Sequence, residues 1–157
     1  MCAKHMLEAG SLPAGLTDSC FDHIGLSVAD LDAAVHFYQH GFSLREEFRF
    51  AVEAHAMTAV ILRSPQGWAI ELLHRPDSAR AGCARPDPDS AVLDRGYGHF
   101  CLRVDDIDAV FGRLLGLGAT EVVAPRVSPH PAIRFSYVAD PEGNLVELIN
   151  VPAGVAL

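Results

Sequence analysis

The sequence predicts an α+β fold of two tandem βαβββ modules, eight strands in all, curving into a cup. Three observations carry this. The first is an internal repeat. Residues 22–38, DHIGLSVADLDAAVHFY, align with residues 98–114, GHFCLRVDDIDAVFGRL, so that His23 meets His99, Leu26 meets Leu102 and Asp30 meets Asp106, at an offset of 99 − 23 = 76. The second is a separate pair of segments with the same offset: residues 64–73, SPQGWAIELL, align with 140–149, DPEGNLVELI, bringing Pro65 onto Pro141, Gly67 onto Gly143 and Glu71 onto Glu147. Two matches at one offset mark a duplication. The third is the order of periodicities in each copy, where one alternating segment precedes a helical one and further strand-like segments follow.

Taken in order, residues 1–20 contain Gly10, Pro13 and Gly15 without sustained periodicity and read as an N-terminal arm. Module one covers 21–73. Residues 21–28 alternate as a strand, with His23, Gly25 and Ser27 on one face and Ile24, Leu26 and Val28 on the other. Asp30 should cap the next helix, Asp32 should favour its first turn, and Leu31, Ala34, Val35 and Tyr38 recur at helical spacing until Gly41 ends it. Strands are expected at 44–52 and 56–63, and the SPQG turn leads into a fourth at 68–73. Residues 74–96, rich in Pro and Gly, read as a linker with little regular structure. A linker of that length can also serve as a lid. Module two covers 97–151. It should comprise a strand at 97–104, a helix capped by Asp106 with Ile107, Val110, Phe111, Leu114 and Leu115 inward, and a stop at Gly116 and Gly118. A strand at 120–124, a proline-rich loop through Pro125, Pro129 and Pro131, and strands at 135–139 and 145–151 complete it, leaving a tail at 152–157.

At 157 residues the chain is long enough for one domain with a real core, and half of its residues are apolar. A net charge of −8 offers no basic stripe for nucleic acid. No apolar run approaches the roughly 20 residues that span a bilayer, and no signal peptide is visible, so a cytoplasmic location is expected. Cys2, Cys20, Cys83 and Cys101 have no close-paired spacing, which fits a reduced state.

Each copy carries one histidine near its start and one glutamate near its end, 48 residues apart in both (71 − 23 and 147 − 99). A glutamate within AIELL or LVELI is costly in a strand unless it is paired, coordinated or solvated. If the first and fourth strands of each module are neighbours, His23 and Glu71 share one face and His99 and Glu147 another. Two such sheets about a pseudo-twofold axis would form a metal-binding cup. Two imidazoles and two carboxylates suit a divalent ion of the Zn, Ni, Co, Mn or Fe type, with positions left for water or substrate. Either glutamate or either histidine alone could simply face water; the matched set of four favours coordination. Cys101, two residues after His99, reads as a small buried apolar residue or as a group beside the metal. His36, His40, His55 and His74 read as solvent or loop residues, and His130 shares a loop with Arg126 that could reach substrate.

The motifs DHIGLSVADL at 22–31, AIELL at 69–73, YGHFCLRVDD at 97–106 and DPEGNLVELI at 140–149 resemble the vicinal oxygen chelate superfamily. This superfamily includes glyoxalase I, methylmalonyl-CoA epimerase, extradiol dioxygenases, fosfomycin-resistance enzymes and bleomycin-binding proteins. The resemblance covers about residues 21–151 and implies paired βαβββ modules around a metal. It places the metal ligands on His23, Glu71, His99 and Glu147, a set most like that of glyoxalase I. It departs from glyoxalase I where an Arg that holds glutathione is replaced by Ser27 and an Asn by Arg75. Arg103 stands at the mirror-related position in module two, so an anionic group would be held differently. The gap of 28 residues from Glu71 to His99 (99 − 71) favours a cup completed within one chain, a cup shared across a dimer being the alternative, and a homodimer is expected. The activity implied is that of a lyase or isomerase moving a proton next to a carbonyl of a small substrate, with Glu147 or Glu71 as base. An iron(II) dioxygenase using His23, His99 and Glu147, and a drug-binding protein without catalysis, are the alternatives. Arg103, Cys101, Arg126 and His130 are the candidate substrate contacts.

Overall fold

A computed structural model describes residues 20–79, 87–93 and 95–155. The expected N-terminal arm, apart from Cys20, lies outside the described residues, as does the middle of the 74–96 linker with Cys83. Module one runs β1 (His23–Ser27), α1 (Leu31–Phe42), β2 (Arg45–Val52), β3 (Met57–Arg63) and β4 (Ala69–His74), with a single 3₁₀ turn at Glu53–His55. A short helix α2 (Pro88–Ala91), capped by the Asp87 carboxylate on the Ser90 N–H, interrupts the linker, where little regular structure was expected. Module two repeats the plan with β5 (Phe100–Arg103), α3 (Ile107–Gly116), β6 (Thr120–Val127), β7 (Arg134–Ala139) and β8 (Leu145–Asn150).

The eight strands form two four-stranded mixed sheets, ordered β1-β4-β3-β2 and β5-β8-β7-β6. In each sheet the first strand runs parallel to the fourth, and the other pairs are antiparallel. The helices begin where the carboxylates predict: Asp30 accepts from the Ala33 N–H at 2.9 Å and Asp106 from the Ala109 N–H at 3.0 Å. Such caps satisfy N–H groups that have no partner within the helix.

Two expected boundaries move. The helix α1 passes through Gly41 and ends at Phe42, with Ser43 taking the left-handed conformation at φ 56°. Gly41 is needed for packing: a Cβ there would lie 2.6 Å from Cδ2 of Leu114 on α3. The strand expected to stop at residue 124 runs on through Pro125 to Val127. Because β6 is an edge strand with a register shift between Val123 and Arg126, proline's missing N–H breaks no ladder there.

One hydrophobic core serves both modules. It joins Val60, Leu62, Ile70 and Leu72 of the first sheet to Val138, Val146 and Leu148 of the second, through Tyr38, Phe37, Phe111 and Leu114 of the helices. The helix-bearing faces of both sheets therefore meet, and the opposite faces point away from the shared core. Polar contacts fix the seam. The buried Tyr38 hydroxyl donates to Asp140 Oδ2 at 2.6 Å, and Arg113 Nε donates to the Gly41 carbonyl at 3.1 Å. The Glu142 carboxylate accepts from the N–H groups of Ala29 and Asp30 at 2.8 and 3.1 Å.

Candidate functional site

Alternation along β1 places Ile24 and Leu26 against the core and leaves His23, Gly25 and Ser27 on the outward face. On β4, Ile70 and Leu72 face inward and Glu71 outward. The parallel register puts Gly25 opposite Glu71, and Ile61 of β3 flanks Glu71 on its other side. A Cβ at Gly25 would crowd Leu73 Cδ1 at 3.3 Å and would touch Glu71 Oε2 at an ordinary 3.5 Å. His23 Nε2 then lies 3.6 Å from Glu71 Oε2. Its other nitrogen, Nδ1, is 2.9 Å from the Asp22 carboxylate. Hydrogen bonds from His23 and then Arg63 hold the Asp22 carboxyl below its ordinary range, so it stays ionised. A carboxylate partner on Nδ1 makes that nitrogen the donor, so Nε2, the nitrogen nearer Glu71, is the one that could hold a cation.

Module two builds the counterpart with different neighbours. His99 Nε2 lies 3.2 Å from Glu147 Oε2. Opposite Glu147 in the register stand Cys101 on β5 and Tyr137 on β7, where the first module has Gly25 and Ile61. The Tyr137 hydroxyl is 3.5 Å from His99 Nε2, and the two rings meet edge-on at 5.2 Å. Burial first, then the charge of Glu147 and a hydrogen bond to it, push the Tyr137 phenol well above its ordinary value and the Cys101 thiol up to about 12. Both groups therefore remain protonated donors beside the acid. Tyr137 was not singled out in the sequence; the available signal was a tyrosine ten residues before Glu147, at the position where the repeat has Ile61 (137 − 61 = 76).

The spacing in each pair suits a shared cation. Two donor atoms in neighbouring positions around an ion, each about 2.1 Å from it, stand about 3 Å apart. Each pair supplies only two ligands, and among the described residues no three His, Cys, Asp or Glu side chains are grouped so as to hold a metal ion. The four expected ligands thus stand as two separate His–Glu pairs within one chain. The physical reason is the shared core: packing the helix-bearing faces together turns the faces that carry the His–Glu pairs outward.

The remaining candidates divide. Arg126 reaches the outward face of the second sheet, where its guanidinium lies 5.2 Å over the Phe135 ring, next to Tyr137. Arg103 is exposed on β5, two residues beyond Cys101. His130 sits exposed in the β6–β7 turn, its backbone N–H donating to Ser128 Oγ, and among the described residues no hydrogen bond ties it to the His99–Glu147 pair. Arg75, at the position where an Asn was noted, is engaged with Asp77 at 2.9 Å.

The profile of the family described as "Glyoxalase/Bleomycin resistance protein/Dioxygenase superfamily" matches residues 21–148. No curated protein matches the chain. Among solved structures, a glyoxalase family protein from Bacillus cereus is similar at 25% identity and a TM-score of 0.70, over 87% of this chain and 98% of that one. A glyoxylase/bleomycin resistance protein/dioxygenase domain from Frankia sp. is similar at 18% identity and 0.70, over 87% and 95%. Glyoxalase I from Zea mays is similar at 22% identity and 0.67, over 82% of this chain but only 43% of that one, so the chain spans less than half the length of the maize protein.

Proposed function

The chain belongs to the Glyoxalase/Bleomycin resistance protein/Dioxygenase superfamily, and on that premise we propose that it is a metal-dependent lyase or isomerase of the glyoxalase type, with its site assembled from two copies. The observation that carries this is the pair of matched half-sites. His23 with Glu71 and His99 with Glu147 each show ligand-like spacing on an outward sheet face. A twofold dimer that sets the first half-site of one chain against the second half-site of the other would give two equal four-ligand centres, one per chain. The fold's kinship with glyoxalase I supports the reaction class.

Within such a centre, a divalent ion of the Zn, Ni, Co, Mn or Fe type would supply Lewis-acid stabilisation of charge developing on a substrate oxygen. The chain's own groups do the rest. A carboxylate, Glu71 or Glu147, takes the proton from the carbon next to the carbonyl and returns it to the neighbouring carbon. Hydrogen-bond donors beside Glu147, Tyr137 and Cys101, hold that acid in place, whereas the strand neighbours of Glu71 are Gly25 and Ile61, which offer it no side-chain donor. Glu71 is accordingly the freer of the two to move a proton. Arg103 and Arg126 are positioned to hold an anionic part of the substrate. Since Ser27 stands where glyoxalase I has its glutathione-holding Arg, the thiol co-substrate need not be glutathione.

Elemental analysis combined with sedimentation tests the assembly. Protein purified without added metal should be a dimer carrying one divalent ion per chain. His23→Ala and His99→Ala should each lose the ion, and Glu71→Gln should lose turnover of 2-oxoaldehyde hemithioacetals while keeping the fold. A monomer that holds metal as tightly after His99→Ala as before would sink the proposal. The difference between the two acids favours one second reading, an iron(II) dioxygenase that uses His23, His99 and Glu147 and leaves Glu71 aside. Catechol-dependent oxygen uptake that survives Glu71→Gln would select it.

A further inference from the structure

The seam between the modules has two sides related by the internal repeat, and among the described residues only one of them is closed. On the closed side Val28, Ala34, Phe37 and Tyr38 are buried, and Glu142 and Asp140 bind across the seam. Seventy-six positions away, the other side presents Val104, Val110 and Arg113, with Gln66 in the place of Glu142 and Ser64 in that of Asp140, while Leu114, the counterpart of Tyr38, stays buried. Phe37 is 1% exposed, whereas its counterpart Arg113 is an exposed residue. This side leaves a cavity of about 610 Å³, within the size range of small-molecule sites. Phe21, Phe42, Trp68 and Phe100 form its apolar walls. Arg103 and Arg113 lie on its rim with Gln66 and Asp105, a local balance of one positive charge in a chain of net charge −8. Among the described residues neither arginine pairs with a carboxylate, Arg113 being held by one bond to the Gly41 carbonyl. Phe21 is 68% exposed at the mouth.

We propose that the open seam binds a small organic anion with an aromatic body, an aromatic carboxylate or sulfonate. The ring lies against Trp68 and the phenylalanines, and the acid group is held by the guanidinium groups of Arg103 and Arg113, whose forked donors match a planar carboxylate. The site goes beyond the metal-dependent reading and needs no metal. Cys101 lines the cavity too, so a ligand there would adjoin the His99–Glu147 pair.

Trp68 is the chain's only tryptophan and reports directly on occupancy. The full chain is titrated with 8-anilinonaphthalene-1-sulfonate, reading energy transfer from Trp68, and in parallel with the uncharged N-phenyl-1-naphthylamine. One anionic probe per chain should bind saturably, about tenfold tighter than the neutral one. Arg103→Gln should weaken the anionic probe about tenfold, the scale of one lost hydrogen bond to a charged group. Val110→Phe, which fills the cavity from α3, should abolish transfer. Thermal melts by circular dichroism check that each variant is folded. Equal affinity for both probes, or an Arg103→Gln variant that binds like the parent, overturns the proposal. So does Trp68 emission that follows protein concentration and ignores the probe, because a second copy then covers the seam.

Discussion

Replacing Tyr38 with Phe removes a single oxygen from the contact that joins the two modules. The side chain is 0% exposed, and its hydroxyl donates to Asp140 Oδ2 at 2.6 Å. Asp140 is itself 3% exposed and lies in the turn before β8, the strand that carries Glu147. After the change the carboxylate still accepts from the Asn144 backbone N–H at 2.7 Å and from the Asn144 side-chain amide at 3.0 Å. The loss is therefore one hydrogen bond to a charged acceptor, about 1.5–3 kcal/mol, and the two remaining donors place it near the middle, about 2 kcal/mol. For a chain of this size each kcal/mol moves Tm by about 2–4 °C, so Tm should fall by about 4–8 °C. Urea unfolding followed by circular dichroism should show a lower midpoint with unchanged slope. The phenol's pKa is driven far up, by burial first and then by Asp140, so the parent keeps this bond throughout the neutral range. A loss below about 0.5 kcal/mol would refute the reasoning, since it would mean that Asn144 alone satisfies the buried carboxylate.

Other expectations are shorter to state. Gly41→Ala should gain up to about 1 kcal/mol of helix propensity but lose about 1–3 kcal/mol to the clash with the fully buried Leu114, for a net destabilisation; a raised Tm would contradict that packing. In a variant with Cys2, Cys20 and Cys83 replaced by Ser, iodoacetamide should label Cys101 slowly at pH 8 and faster toward pH 12, because its thiol titrates near 12. The folded value lies above the ordinary one of 9.0, so this group's contribution to stability is complete below pH 9 and is lost as the pH rises toward 12. Glu147→Gln removes the nearby charge and should speed the labelling at pH 8; labelling of the exposed parent thiol as fast as a free thiol would show that its surroundings do not hold it protonated.

Much of the fold is legible because its signals are local. Asp30 and Asp106 announce helix starts by a side chain reaching three residues along its own chain, and both caps form. Alternation in β1 and β4 separates Ile24, Leu26, Ile70 and Leu72 from His23 and Glu71 without reference to any neighbour. The repeat then transfers the same reading to module two. Where the reading misses, a distant residue decides. Gly41 is punctuation in a local view, but α1 continues through it because Leu114 of α3 needs the space. Pro125 breaks a strand in a local view, but β6 lies at a sheet edge, where its N–H is not called upon. Tyr137 could not be ranked by type alone, since its role beside His99 and Glu147 depends on the β7–β8 register.

The amino-acid sequence alone determined that two equivalent modules exist, which faces of their strands are apolar, and that a histidine and a glutamate recur at one spacing in each. Periodicity suffices for that, because side-chain direction follows from backbone geometry within a few residues. Only the tertiary structure decided that each histidine meets its own module's glutamate, at 3.6 and 3.2 Å, and that the two pairs do not join in one chain. Parallel pairing of the first strand with the fourth makes the first result, and burial of both helix-bearing faces in a single core makes the second. Both depend on which surfaces find each other across the chain, and a repeat of 76 residues is silent about that.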